Sequence, residues 1–400
     1  MLIKIDDSLV EYIDLNKSKP DLISLELQSL ANLTLAYRDG KHILIGSLVA
    51  LEYLKNLNLL EESSRRIFSF LYTRFSFLAS YEEIFTEHII VKSRDYGFQR
   101  IIDDTNQIFE VPITTFINFE SVNKSVLICE DISDFEFYSG LAEKYFTEVF
   151  KNQNIKLEFE LANGGGDNTW KLFKYHSDNK KICIAIADSD KDHPNGKVGG
   201  TLGKLKKEFS NHKNISISDL IELKVREKEN LIPPSLYLIC SNNSIKERLK
   251  KLALLETIPS HQEKLLFIDY KEGLKVGKYK NDPVLREYFE NLFSEMHDLT
   301  ACSIDEIDQL SDESYIIEGL GTNIINYFYN GVIKNGLEKE LEKKLSLDGI
   351  NPEILDELKL NVQKKENIFN NIPDFIKPHI EYICKKLIAW GCSNGIIIST

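Results

Sequence analysis

The spacing of apolar residues changes period along the chain. Leu22–Leu35 and Leu48–Leu60 carry apolar residues at three- and four-residue intervals, which predicts amphipathic helices. His88–Val91 and Val111–Ile117 read as short strands. From about Ser125 the pattern alternates between short apolar runs and helical stretches. Val126–Glu130 predicts a buried strand and Phe135–Phe150 a helix. Ile155–Leu161 alternates as a strand does and runs into Asn163-Gly-Gly-Gly-Asp-Asn168, after which a helical pattern reaches about His176. Lys181–Ala187 is continuously apolar, as expected of a strand buried on both faces of a parallel sheet. A Lys-rich helix over Leu202–Phe209 and a strand over Leu220–Val225 complete the series. Glu247–Leu255, Pro283–Met296, Leu337–Leu347 and Pro378–Ala389 predict helices. The charged run Glu338–Lys344 reads as a solvated helix face.

These periods predict an α/β fold. Residues 123–240 form a parallel sheet flanked by helices, residues 1–122 an α+β region, and residues 241–400 a mainly helical one. There is no internal repeat and no low-complexity segment.

Composition narrows the function. In 400 residues, 49 Lys and Arg stand against 62 Asp and Glu, and 49 − 62 gives −13. Bulk positive charge for coating nucleic acid is therefore excluded. A hydrophobic share of 42% and a charged share of 28% argue for a folded globular chain over a disordered one. No apolar run reaches the roughly 18 residues of a membrane span; the longest candidate, Ile43–Leu60, is broken by Glu52 and Lys55. The first residues lack a signal-peptide pattern. Cys129, Cys183, Cys240, Cys302, Cys384 and Cys392 show no CxxC or Cys/His spacing, so zinc and disulfide scaffolds are not expected. A reducing cytoplasm is the expected compartment. One segment mixes Arg65, Arg66 and Arg74 with Phe68, Phe70, Tyr72, Phe75 and Phe77. That mixture suits stacking on a polynucleotide, although a helix burying its Phe face is the commoner arrangement.

The candidate chemistry lies after the strands, where ligands of open α/β sheets collect. Glu130 and Asp131 follow the first strand, with Asp134 just beyond. The Gly164-Gly-Gly-Asp167 turn follows the second, Asp188-Ser-Asp190-Lys-Asp192 the third, and Glu227 and Glu229 the fourth. A single acid there would be an ordinary helix cap. A cluster repels itself unless a cation neutralises it, and Mg²⁺ or Mn²⁺ on oxygen ligands is the simplest cation. If the third strand continues through Asp188 and Asp190, both side chains reach one ion. Phosphodiester hydrolysis is the chemistry such ions serve.

The run from about Val126 to Pro234 resembles a Toprim domain, the metal-binding fold of topoisomerases, primases and OLD-type nucleases. Glu130 and Asp188-Ser-Asp190 match its hallmark Glu and DxD. The chain is most similar to the stand-alone Toprim nucleases of bacterial anti-phage systems, including the OLD-like family and the nuclease subunit of PARIS. The points of likeness are Cys129-Glu-Asp-Ile-Ser-Asp134, the Gly164-Gly-Gly turn and Arg226-Glu-Lys-Glu-Asn-Leu231. The resemblance implies Glu130 as acid/base or metal-bridging carboxylate, Asp188 and Asp190 as metal ligands, and Glu229 at a second metal. Asp134 is a further candidate ligand.

The resemblance further implies a phosphate-stabilising lysine, for which Lys271, in Phe267–Gly273 after a strand-like run, is the candidate; Lys191 is its local competitor and a plain turn lysine the alternative. Asp131 stands where such domains usually carry Gly, which either crowds the phosphate or adds a ligand. No GxxxxGK[ST] sequence is present, and Gly196–Thr201 has the wrong spacing. An ATPase or sensor would then be a separate subunit.

Lys204, Lys206 and Lys207, and the group Lys246, Arg248, Lys250 and Lys251, are candidates for tracking nucleic-acid phosphates. A solvated helix face is the equal alternative for both. Of the histidines only His193 lies beside the acidic loop. The expected function is a metal-dependent DNA or RNA nuclease, the effector of an anti-phage system, with possible homo-oligomerisation and no membrane. The alternative is a Toprim-like binding or assembly module without turnover.

Overall fold

Short apolar runs build the sheets. The computed structural model describes residues 1–103, 106–150, 155–240, 244–295, 304–334 and 368–395. The predicted helix at 337–347, its charged run, and Cys302 lie outside these residues. The chain divides into two units. The first comprises Met1–Ala187, Gly203–Ile221 and Ile383–Thr400; the second comprises Asp188–Leu202 and Glu222–Tyr382.

In the first unit, β1 (Leu2–Ile5), β2 (Ile43–Gly46), β3 (Glu87–Lys92), β4 (Gln99–Ile102) and β5 (Gln107–Pro112) form one sheet in the order β2-β1-β3-β5-β4. The pairs β1–β2, β1–β3 and β3–β5 are parallel, and only the edge strand β4 runs antiparallel. Parallel neighbours need long crossovers. Helices α1 (Asp7–Asn16), α2 (Ser24–Arg38), α3 (Leu48–Asn56), α4 (Glu62–Thr73), α5 (Phe75–Ala79) and α6 (Tyr81–Ile84) supply them. The α+β expectation for residues 1–122 is thus replaced by a mainly parallel α/β sheet. Val111–Ile117 is not one strand either. Pro112 lacks the N–H that a ladder requires, and Ile113–Phe116 is a 3-10 turn.

A second sheet in this unit holds β6 (Val126–Cys129), β8 (Glu160–Asn163), β9 (Cys183–Ala187) and β10 (Ser218–Glu222), in the order β10-β9-β6-β8. Between β6 and β8 lies the two-residue β7 (Lys156–Leu157), so the predicted strand over Ile155–Leu161 is split. Its first part pairs antiparallel with Cys392–Ser393, and its second joins β6. Strands β6 and β9 are buried throughout, as their unbroken apolar sequence requires. Helices α7 (Ile132–Tyr145), α8 (Thr169–Asp178) and α9 (Gly200–His212) follow the first three strands.

Parallel pairing of β6 with β8 and with β9 brings their carboxyl ends to one edge. The glycine run after β8 is required there. Gly165 and Gly166 take φ of 64° and 67°, the left-handed region that glycine tolerates. A Cβ on Gly164 would collide with Thr169. The turn is pinned by Gly164 N donating to Cys129 O at 2.8 Å and Gly166 N to Glu130 O at 3.2 Å.

A buried charged network ties both sheets of the first unit to the final helix, Lys377–Gly391. Asp219 of β10 accepts from Arg100 of β4 at 2.7 Å and Gln107 of β5 at 3.1 Å, and pairs with Lys386. Lys386 also pairs with Glu87 of β3 at 2.8 Å, and the Trp390 indole donates to the same carboxylate at 2.5 Å. Two carboxylates therefore meet two cations out of water. Burial opposes the Asp219 charge, but Lys386 and Arg100 outweigh it and hold its carboxyl below the usual range. At Glu87 burial wins over Lys386 and pushes the carboxyl up.

In the second unit, α10 (Pro234–Cys240), α11 (Lys246–Leu255), α12 (Pro259–Gln262), α13 (Val276–Asn281), α14 (Pro283–Glu295) and α15 (Ile324–Phe328) accompany a small antiparallel pair, β11 (Gly273–Lys275) and β12 (Tyr315–Glu318). The predicted helices over Glu247–Leu255 and Pro283–Met296 correspond to α11 and α14, though Met296 lies outside the described residues. Among the described residues no helix is long and apolar enough to cross a membrane, and Cys183 and Cys392 are buried free thiols.

Removing one partner of a buried ion network leaves an uncompensated charge, at a cost of about 3–5 kcal/mol. Lys386→Met should therefore lower unfolding stability by that amount in a urea titration; a loss below about 1 kcal/mol would show the network to be dispensable. Because the folded Asp219 carboxyl lies below its unfolded value, its contribution is present above about pH 4 and lost as pH falls. An acid titration followed by circular dichroism should show that loss, and Asp219→Asn should flatten it.

Candidate functional site

The acidic loop after β9 does not continue the strand. The strand ends at Ala187, and Asp190 takes φ 54°, a left-handed conformation that Asp tolerates better than most residues. The alternation argument that aimed Asp188 and Asp190 to one side therefore fails. Hydrogen bonds to a neighbouring segment shape the loop instead. Ser189 Oγ donates to Val225 O at 2.6 Å. Ser189 N and Asp190 N both donate to Arg226 O, at 3.0 and 2.9 Å. Asp188 Oδ1 accepts from Lys228 N at 3.0 Å.

The partner segment is Arg226-Glu-Lys-Glu-Asn230, five consecutive polar residues each no more than 8% exposed. A buried polar run must be satisfied from within. Lys228–Leu231 forms a 3-10 turn capped by Glu227, whose N–H donates to Asn230 Oδ1 at 3.2 Å. The Asn230 amide donates to Leu265 O and Ile268 O, both at 2.8 Å. The Tyr237 hydroxyl donates to Glu229 O at 3.0 Å. Arg226 pairs with Asp192 and, at 2.9 Å, with Asp269. Lys278 also reaches Asp192, at 2.6 Å.

Lys271 is the cation of the two glutamates. Its Nζ lies 2.8 Å from Glu227 and 3.9 Å from Glu229. Burial disfavours its charge, yet Glu229, Glu227 and Asp188 together hold the ammonium above the usual lysine range. Burial pushes the Glu229 carboxyl up despite Lys271 and Lys228. Glu229 Oε2 is buried and has no hydrogen-bond donor among the described residues. The approach to Lys271 differs from expectation. Phe267–Ile268 follow the 3-10 turn Glu263–Leu266, not a strand, and Lys271 sits in the turn leading into β11. A cleft of about 730 Å³ opens there, lined by Lys271, Arg248, Lys275, Tyr315 and Gly319–Gly321.

The other candidates are placed as follows. Glu130, half-buried, directly follows β6. Asp131 caps α7, accepting from Ser133 N and Asp134 N, while Asp134 Oδ2 accepts from Asp131 N at 3.1 Å. This is a capping box, the ordinary use of acids at that position. Lys204 pairs with Asp167 at 2.6 Å, and Lys206 and Lys207 are exposed on the same helix. Lys250 pairs with Glu247 at 2.8 Å beside exposed Lys251. Both lysine groups thus lie on solvated helix faces. Lys191 Nζ reaches Pro194 O at 3.4 Å, and His193 is buried beside the Tyr288 ring at 6.2 Å. Among the described residues, no group of three or more His, Cys, Asp or Glu side chains is arranged to hold a metal ion.

Asp269 and Lys278 were not expected from the sequence, and Asp192 was read only as an acid of the loop, not as a partner of Arg226. The signal available for their partner was the alternating charge of Arg226–Asn230 inside apolar flanks, where solvation of all five residues is implausible. Asn230→Asp would turn two donors toward carbonyls into acceptors. It should cost about 2–4 kcal/mol in chemical denaturation, from two lost buried hydrogen bonds and a repelled charge; a neutral effect would show that the turn is not held by Asn230. Comparison of the chain with known protein families, with curated proteins and with solved structures returned no match.

Proposed function

We propose that this chain is a divalent-metal-dependent phosphodiester hydrolase of the Toprim type, cutting DNA or RNA. The observation that carries the reading is the set of half-buried Asp188, pinned by Lys228 N, and buried Glu227 and Glu229, all acting on Lys271. The hard oxygen donors suit Mg²⁺ or Mn²⁺. The orphaned Glu229 Oε2 is an acceptor that a cation would satisfy. Magnesium keeps several waters and is commonly held through one or two carboxylates plus substrate phosphate, so a closed three-residue protein cage is not required.

Asp188 and Glu229 would hold the ion, with Asp190 in the role the resemblance implies. When bound, the ion would supply an activated water and neutralise charge on the phosphate. Asp188 is oriented for that role by Lys228 N. Lys271, kept cationic by its carboxylates, would hold a non-bridging phosphate oxygen as charge develops. Asp131 and Asp134 serve the helix cap and are left out of the ligand set. We place the chain as the effector of an anti-phage system, cytoplasmic, acting with an ATPase or sensor subunit.

Purified protein incubated with plasmid, linear DNA and total RNA in Mg²⁺ or Mn²⁺ should cleave one of them. Lys271→Ala should slow cleavage about 100-fold or more, and Glu130→Ala and Asp188→Ala should abolish it. Equal, negligible cleavage by all forms, alone and with the neighbouring gene product, would overturn the reading. The second reading, a module that binds or assembles without turnover, is favoured by the internal pairing of Glu227, Asp192 and Asp269 with Lys271 and Arg226. It predicts Mg²⁺ binding by calorimetry with no cleavage of any substrate.

A further inference from the structure

The basic-aromatic segment of the first unit forms a cavity that the proposed hydrolysis does not use. Helix α4 turns Ile67, Phe68 and Leu71 inward, which leaves its other aromatics at the rim. At the junction with α5 the chain bends, and Tyr37, Phe70, Tyr72, Phe75, Phe77 and Tyr81 line a space of about 1100 Å³. Phe77 and Tyr81 meet edge to face at 5.4 Å, and Phe77 remains 46% exposed. An exposed phenyl ring beside a concave aromatic wall offers a stacking face.

Two polar groups give the cavity its chemistry. Arg66 is paired with Glu62, but Arg74 lies over the Phe70 ring at 4.5 Å with no carboxylate partner among the described residues. In a chain of net charge −13, this leaves a cation at the mouth of an aromatic space. Asn394 also lines the cavity. Its side-chain Nδ2 and Oδ1 are both buried, with the Tyr37 hydroxyl of the cavity wall as a polar neighbour of the amide. A side-chain amide presents a donor and an acceptor side by side, the pattern that matches the edge of a purine base. An aliphatic peptide would use neither the amide pair nor the free guanidinium.

We propose that this cavity binds a purine nucleotide, with the base stacked on Phe77, its edge on Asn394 and its phosphate on Arg74. The same chemistry is offered by a free nucleotide and by the terminal nucleotide of a single strand.

Isothermal titration calorimetry in EDTA tests this without the metal chemistry. The probes are AMP, UMP, adenosine and a hexadeoxyadenylate, and the variants are Arg74→Ala, Phe77→Ala and Asn394→Ala. We expect AMP to bind more tightly than UMP. Phe77→Ala should weaken AMP about ten- to hundredfold. Arg74→Ala should weaken AMP tenfold or more while leaving adenosine unchanged, and should remove the salt dependence. Asn394→Ala should erase the preference for AMP over UMP. Binding of AMP in preference to the hexanucleotide supports the site with a free nucleotide as ligand, and the reverse order supports it with a strand end. No binding of any probe at millimolar concentration overturns the proposal, as does binding that Phe77→Ala and Arg74→Ala leave unchanged. Because EDTA is present throughout, failure here is distinguishable from failure of the nuclease reading.

Discussion

Neutralising charge out of water is the constraint on which this structure depends. In the first unit, Asp219 and Glu87 are held by Arg100 and Lys386 inside the protein. Those residues come from β3, β4, β10 and the final helix, so full satisfaction of the network requires all four elements in place. Apolar packing would tolerate small slips between layers. Hydrogen-bonded charges do not, because each displaced partner leaves a desolvated ion.

The second unit applies the same rule to a shorter stretch of chain. Arg226–Asn230 is withdrawn from solvent, and three of its charges are answered locally: Arg226 by Asp192 and Asp269, Glu227 and Glu229 by Lys271. The result is a rigid turn that fixes the loop bearing Asp188 through main-chain bonds, not through a continued strand. Groups held in this way are preorganised, which is why the proposed chemistry is assigned there and not to the exposed lysine-bearing helices.

The sequence made the inner strands legible because burial on both faces leaves an unbroken apolar run, as at Lys181–Ala187. The glycine turn was legible because glycine takes the left-handed backbone of Gly165 and Gly166 most readily. The parallel order of the first sheet was not, since pairing β1 with both β2 and β3 depends on contacts across more than forty positions that no local period encodes. At the candidate site the acids were found, but their uses were not separable by type. Asp131 and Asp134 cap a helix, while Asp188 is fixed by a backbone amide 40 positions away. Lys271 was identified from its neighbours, although the run before it is a turn.

The first unit is discontinuous, and that has a consequence for how it is made. Trp390 reaches Glu87 across 303 positions of chain. During synthesis the strands bearing Glu87 and Asp219 emerge long before Lys386 does. Until the last helix is released, Asp219 has Arg100 as its cation but Glu87 has none, so the nascent sheet must keep Glu87 in water or bury its charge uncompensated. Folding of the first-made half thus waits on the last-made helix, a long-range dependence of the kind that slows folding and exposes strands to misassembly.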